Sequence, residues 1–236
     1  VIGTILWAIL LSASPSHAQE AGPVAGGVVS SKEWTVHRSS TDKTEEFSGD
    51  VRYRTGATVL NADWALYTHS TQYWDVKGDV RVNHKLEAGD VLEAQGDRAR
   101  FNQQDQKGDL TGREGVRFTR TPAEGDWDYG SSKRLEWEGR DRAAAAGAVH
   151  LWGPRLESWS DRTDYYHGMD DLKMTGGRPV VLKLAAFDDS NSDWLGAVQG
   201  DEITITKEPR TLTAEGKARG WLDFTDSAAK QARPTP

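Results

Sequence analysis

Four aspartates recur at comparable places along the chain: Asp63, Asp97, Asp161 and Asp201. A regular ladder of carboxylates is one way to hold a row of Ca²⁺ ions. That chemistry needs a glycine-rich nonapeptide with closely spaced acidic ligands, and no such stretch occurs. The aspartates read instead as residues at bends or strand starts that bond nearby backbone. Asp170–Asp171 and Asp188–Asp189 are adjacent carboxylates of the type used in general acid–base work. Both pairs lie in turn-like sequence, and successive strand residues point to opposite faces, so they read as solvated turns. The histidines are His17, His37, His69, His84, His150 and His167, none with a metal-like partner spacing. No G-x-S-x-G, phosphate-binding loop or H-E-x-x-H is present. The reading is of a protein that is not an enzyme and has no cofactor and no metal. Ten tryptophans leave one more chemistry open. Trp152 and Trp159 are the pair best placed for stacking on a sugar, against the alternative that tryptophans simply fill half-buried strands.

Composition narrows the partners. The 236 residues are 36% hydrophobic and carry a net charge of −7. An acidic balance argues against nucleic acid, whose phosphates call for a basic surface. It leaves room for a lipid with phosphorylated sugars, which a few local Arg and Lys can meet. The chain has no cysteine, so disulfides and Cys-based zinc sites are out of the question.

The elements that would position any site emerge from a repeat. A small residue, then usually Asp, then alternating positions recur at Ala62-Asp63-Trp64-Ala65-Leu66-Tyr67, Gly96-Asp97-Arg98-Ala99-Arg100-Phe101, Ser132-Lys133-Arg134-Leu135-Glu136-Trp137, Ser160-Asp161-Arg162-Thr163-Asp164-Tyr165 and Gly200-Asp201-Glu202-Ile203-Thr204-Ile205. Each is followed by a glycine, at Gly78, Gly112, Gly147, Gly176 and Gly216, in steps of 15, 15, 14, 15 and 15 residues. Period-2 alternation puts Ala65 with Tyr67, Ala99 with Phe101, Leu135 with Trp137 and Ile203 with Ile205 on one face. Arg98, Arg100, Arg134, Glu136, Arg162 and Asp164 take the other. The expected architecture is all-β: a twisted, open β-jelly roll or solenoid-like repeat of short antiparallel strands. Its units of roughly 30 to 40 residues are joined by glycine turns and bury their faces only by stacking. Arg142 to Ala146 is alanine-rich, which suits a helix, but the repeat register makes it a strand. Trp64 and Leu66 break the pattern by falling on the face charged elsewhere, so that strand is either covered on both sides or meets a partner.

At the N-terminus an apolar run, Ile5-Leu6-Trp7-Ala8-Ile9-Leu10-Leu11, is followed by Ser16-His17-Ala18. This fits a signal peptide over 1–18, cleaved near Ala18; an uncleaved membrane anchor is the other reading. Residues 19–31 read as a flexible lead-in, 32–225 as the β region and 226–236 as a polar tail. The stretch from Ala185 to Ser192 reads as a loop at a weak internal boundary.

With the repeat in hand, Phe47-Ser48-Gly49-Asp50-Val51-Arg52-Tyr53, then Leu60-Asn61-Ala62-Asp63-Trp64-Ala65-Leu66-Tyr67, then Val76-Lys77-Gly78-Asp79-Val80 resembles the OstA-like domain of the LptA type. The motifs G-[DN]-V, L-x-A-D-x-A-x-Y and a second G-[DN]-V come in that order. The match is clearest over 47–118 and weaker over 127–224, where Lys133 replaces the repeated Asp and Pro179 interrupts a strand. The resemblance implies a periplasmic role in lipopolysaccharide export to the outer membrane. It implies an open roll whose groove holds acyl chains, and strand-edge joints to inner- and outer-membrane components or head-to-tail to further copies. Carried over by position, the lipid-groove residues would be Val51, Tyr53, Ala65, Tyr67, Val80, Val82, Ala99, Phe101, Val116 and Phe118. Alternation itself does not separate a groove from a dry core. An inner-membrane-anchored component like LptC is a variant of the same reading. A carbohydrate-binding or structural β-repeat envelope protein is the alternative from another class, and a β-helical lyase is the least supported.

Overall fold

A computed structural model describes residues 27–85, 90–121, 128–138, 142–153, 156–166, 171–183, 194–206 and 211–224, with backbone alone at 183, 194–195 and 222–224. The leader, most of the lead-in, the 185–192 loop and the tail lie outside the described residues, as do His17, His167, Asp170, Asp188 and Asp189. Among the described residues every element is a strand. In chain order they are β1 (Val28–Ser30), β2 (Glu33–Arg38), β3 (Lys43–Thr55), β4 (Thr58–Thr68), β5 (Tyr73–Lys85), β6 (Val91–Asn102), β7 (Lys107–Thr121), β8 (Asp128–Glu138), β9 (Arg142–Trp152), β10 (Leu156–Tyr166), β11 (Asp171–Thr175), β12 (Val180–Lys183), β13 (Trp194–Gln199), β14 (Glu202–Thr206), β15 (Thr211–Glu215) and β16 (Arg219–Phe224). They form a single antiparallel sheet in which β3 to β10 each pair with the next strand in sequence.

The repeat is a bend, not a turn between short strands. β3 to β10 are 11 to 15 residues long, and each is broken near its middle by a register shift. The shifts fall at Ser48/Val51, Asn61/Trp64, Lys77/Val80, Gln95/Arg98, Thr111/Val116, Ser131/Arg134 and Ser160/Arg162, with β9 interrupted between Ala146 and Val149. In β3 and β5 the bend is a Gly-Asp pair with both residues at positive φ: Gly49 72° and Asp50 51°, Gly78 79° and Asp79 41°. Glycine and aspartate tolerate that region best. Between Ser48 and Val51 lie two residues, and on β4 a single residue, Asp63, answers them between Ala62 and Trp64. Two against one is a β-bulge, which bends and twists the strand. The 15-residue step is now explained. A side chain at Gly78 would collide with the Asp63 carboxylate, one at Gly176 with Asp161, and one at Gly216 with Asp201. At β8 the bend keeps its form with Lys133 opposite Gly147. At β7 it is widened to Gly112–Gly115, where Asp97 accepts a hydrogen bond from the Arg113 backbone N–H. The small residue before each Asp sits inside the bend; any side chain at Gly96 would meet Leu110 and the Thr111 carbonyl.

Bending every strand splits one sheet into two layers. The first contains β2, the halves of β3 to β10 around 43–48, 64–68, 73–77, 98–102, 107–111, 134–138, 142–146 and 162–166, then β11, β14 and β15. The second contains β1, the other halves, then β12, β13 and β16. The two strands β11 and β12 are a long strand opened at its bend, through Gly176, Gly177, Arg178 and the buried Pro179. Pro179 therefore interrupts the strand without ending the layers. The Ala-rich stretch is strand β9, where Ala143 and Ala145 face inward opposite Tyr165 and Thr163. The inner faces of the layers pack into one cluster, from Phe47 and Val51 to Val181 and Ile203.

Candidate functional site

The ten inward residues fall on both layers. Ala65, Tyr67, Ala99 and Phe101 lie on the first layer, and Val51, Tyr53, Val80, Val82, Val116 and Phe118 on the second. All are buried, from 0% exposed at Val80 and Val116 to 8% at Val82. Rings join the layers along the axis: Trp34 stacks on Phe47 at 6.2 Å, Phe47 on Trp74 at 6.0 Å, and Trp74 on Phe101 at 5.9 Å, while Tyr53 of the opposite layer lies 5.2 Å from Trp74. The interior is apolar and occupied by its own side chains.

Among the described residues its two ends are not closed. Trp34 and Val36 of β2 stand opposite Phe47 and Glu45, on the inward side, yet are 54% and 44% exposed. At the far end Ile205, Leu212, Ala214 and Val198 pack against the core but are only partly buried. Leu212 and Ala214 stand opposite Ile205 and Ile203. Among the described residues β1, β2, β15 and β16 each pair on one side only. Both ends therefore combine an uncovered apolar inner face with free strand edges, which are templates for a further strand.

Charged groups enter the interior in two places that sequence reading passed over. Glu45 has no exposed side-chain surface and accepts from Lys43 Nζ at 2.6 Å, His69 Nε2 at 2.7 Å and Trp34 Nε1 at 3.2 Å. Burial pushes its carboxyl up, but hydrogen bonds from Lys43 and His69 outweigh burial and hold it below the ordinary value. Farther along, Arg120 is buried against Asp90, with Asp128 at 3.8 Å. His84 bonds Thr58 Oγ1 through Nδ1 at 2.7 Å, and burial pulls its pKa down. The alternation that gives Phe47 and Phe118 also gives Glu45 and Arg120, two residues away on the same side.

The outer faces have other chemistry. On the first layer Arg98 pairs with Asp75, Arg134 with Asp109, and Arg162 with Glu136 and Asp164. A cleft of about 350 Å³ there is lined by Arg100, Lys107, Arg134, Arg142, Arg162 and Glu136, with Tyr73 and Trp137 among the rest; its charged groups are mostly basic. Trp64 lies in this outer surface, its indole N–H on Glu46 at 2.6 Å and Lys77 over its ring at 4.3 Å. Its neighbours in the same layer cover it. On the second layer Trp152 and Trp159 are not a pair. His150 stands between them, 4.5 Å from Trp152 and 5.0 Å from Trp159, and Tyr129 stacks on Trp152 at 5.6 Å. Trp152 is thus stacked between Tyr129 and His150, and Trp159 is stacked on His150.

The fold defines a class: an all-β, two-layer roll made by bending one antiparallel sheet, with ends left open among the described residues. No family model matches the chain, and no curated protein matches it in sequence. Among solved structures it is similar to LptH of Pseudomonas aeruginosa, described as the LptA homologous periplasmic component of the conserved lipopolysaccharide transport device. That likeness has 9% identity and a TM-score of 0.24, over 85% of this chain and 94% of that one.

Proposed function

We propose that the chain is a periplasmic carrier that holds the acyl chains of lipopolysaccharide between its two layers and passes them on through its ends. It works by binding and not by catalysing a reaction. The observation that carries this reading is the apolar interior left uncovered at Trp34 and Val36 and again at Leu212 and Ala214, beside unpaired strand edges. The ordered G-D-V and L-x-A-D-x-A-x-Y motifs point the same way. An acyl chain gains about 0.8 kcal/mol per buried methylene, so a long apolar interior needs no single decisive contact. In the filled interior, entry requires side chains to give way, which the partly buried residues at the ends allow most readily. Strand addition at the free edges would join the chain to inner- and outer-membrane components or to further copies.

A photocrosslinking residue placed at Val36, Phe101 and Leu212, with outward Thr35 and Thr213 as controls, tests the reading. Lipopolysaccharide crosslinks are expected at the inward sites and not at the controls. Equal labelling at inward and outward sites, or none at all, overturns it. The carbohydrate-binding alternative loses its pair, because Trp152 and Trp159 do not form one sugar platform: His150 stacks between them and Tyr129 stacks on Trp152.

A further inference from the structure

On the outer face of the first layer, β9 turns Ala144 and Ala146 outward between strands that carry long charged side chains. Register sets Ala144 between Glu136 and Asp164, and Ala146 between Arg134 and Arg162. Two short side chains leave a trough. From β10, Arg162 reaches across it to Glu136 on β8 at 3.1 Å, and Ala144 on the strand it crosses is 2% exposed. Both ends of this bridge, and Ala144, line the cleft of about 350 Å³. The cleft extends to the last row of the layer, where Tyr73, Lys107, Glu138 and Arg142 stand. That row runs along the rim away from the bends, one residue beyond inward Phe101 and Trp137.

Among its described lining side chains five are cations and three are carboxylates, Asp109, Glu136 and Glu138. Each carboxylate is already met. Arg134 pairs with Asp109 at 3.4 Å and Glu136 at 3.3 Å, and Glu138 is shared by Lys107 and Arg142. Arg100 differs. The carboxylates beside it in register are Asp75 and Asp109, and these pair with Arg98 at 2.7 Å and Arg134. Among the described residues no carboxylate pairs with Arg100. Its exposed guanidinium lies 5.5 Å from the centre of the Tyr73 ring, a contact that steadies the group and leaves its charge unmatched. Such a planar fork takes the oxygens of an anion two at a time. The excess of two cations suits a phosphate monoester, which carries close to two charges, better than one carboxylate. The carboxylates select further. They accept hydrogen bonds from hydroxyls, whereas a polyanion laid along this face would meet them as like charges. A small ligand with one phosphate and several hydroxyls satisfies both kinds of group, and the cleft is at the small end of ligand sites.

We propose that this cleft binds a phosphorylated sugar, with the phosphate on Arg100 and Lys107 and the hydroxyls on Asp109 and Glu136. The site is on the outer face and goes beyond the carrier reading, which concerns the interior. Glucose 1-phosphate should bind the full chain saturably in titration calorimetry, more tightly than inorganic phosphate, glucose or glucuronate. Arg100→Gln breaks no ion pair and should melt as wild type, yet bind glucose 1-phosphate about tenfold more weakly, the loss of one charged hydrogen-bonding group. Ala144→Leu fills the trough and should abolish binding. Arg52→Gln, exposed on the other layer, should bind as wild type. No saturable binding, inorganic phosphate binding as tightly as the sugar phosphate, or wild-type binding by Arg100→Gln overturns the proposal. Glucose 1-phosphate has no acyl chain, so each of these results is independent of whether the interior carries lipid. Competition then identifies the source of the group. Displacement of glucose 1-phosphate by lipopolysaccharide in detergent, and not by its dephosphorylated form, assigns the cleft to a lipid head reaching over the rim. Saturable binding without such displacement assigns it to a soluble sugar phosphate, and the site stands in both cases.

Discussion

Gly78 and His84 lie on one strand and carry opposite lessons about single residues. Gly78 combines φ +79° with a Cβ position already filled by Asp63. Gly78→Ala should therefore cost about 1–3 kcal/mol, the range for strain at a special backbone position, read as a lower urea midpoint with unchanged slope. His84 is buried and its pKa is lowered from 6.5 by burial. The folded state then binds fewer protons than the unfolded one, so its contribution to stability is full above the unfolded value. It declines as pH falls from about 6.5 toward the lower folded value. The groups facing it by register are Thr58 and Leu92, so no neighbouring charge there offsets the effect. Melting temperature followed from pH 7.5 to 5.5 (values chosen to bracket that of free histidine) should drop in the wild type. The drop should be shallower in His84→Gln. An identical slope in both would locate the titration elsewhere. Glu45, held low by Lys43 and His69, adds a second decline confined to pH below the ordinary glutamate value, as its folded form is protonated.

Strands in the middle of the roll and strands at its ends should answer mutation differently. Leu110 of β7 is fully buried, and Leu110→Ala should cost about 2–5 kcal/mol by denaturant titration. Leu212 on the edge strand β15 is only partly buried. Leu212→Asp should be tolerated within about 1 kcal/mol, yet should abolish lipopolysaccharide labelling at a neighbouring inward position such as Ala214. Much of this was legible beforehand. Alternation alone assigned Tyr67, Phe101, Leu135 and Trp137 to the inner face, where all four are buried, and the Asp-to-Gly step announced a structural period. The bends were harder to read, because Gly-Asp at positive φ suits both a hairpin and a mid-strand bulge, and only the partner strand decides. Cross-strand register was out of reach too, so His150 between Trp152 and Trp159 had no local signal. Glu45 and Arg120 were within reach: carrying the alternation one step past the last apolar residue places both inside.

For the molecule as a whole, neighbours in sequence are neighbours in the sheet from β3 to β10, and the two layers share their strands. Opening should therefore begin where strands have one partner and few buried side chains. Amide hydrogen exchange should be fastest in β1, β2, β15 and β16 and slowest in β5 to β9. Uniform protection across the sheet would mean that the ends are not the loose parts from which ligand enters or partners join.

The mid-strand bend also separates width from length. Each bent strand contributes one rung to both layers, and its bend sets how far apart they stand. A duplicated or deleted hairpin changes the length of the interior by two strand spacings, about 10 Å, and leaves its cross-section untouched. Relatives of very different size could thus accept the same cargo, with hairpin number acting as a ruler for the distance spanned.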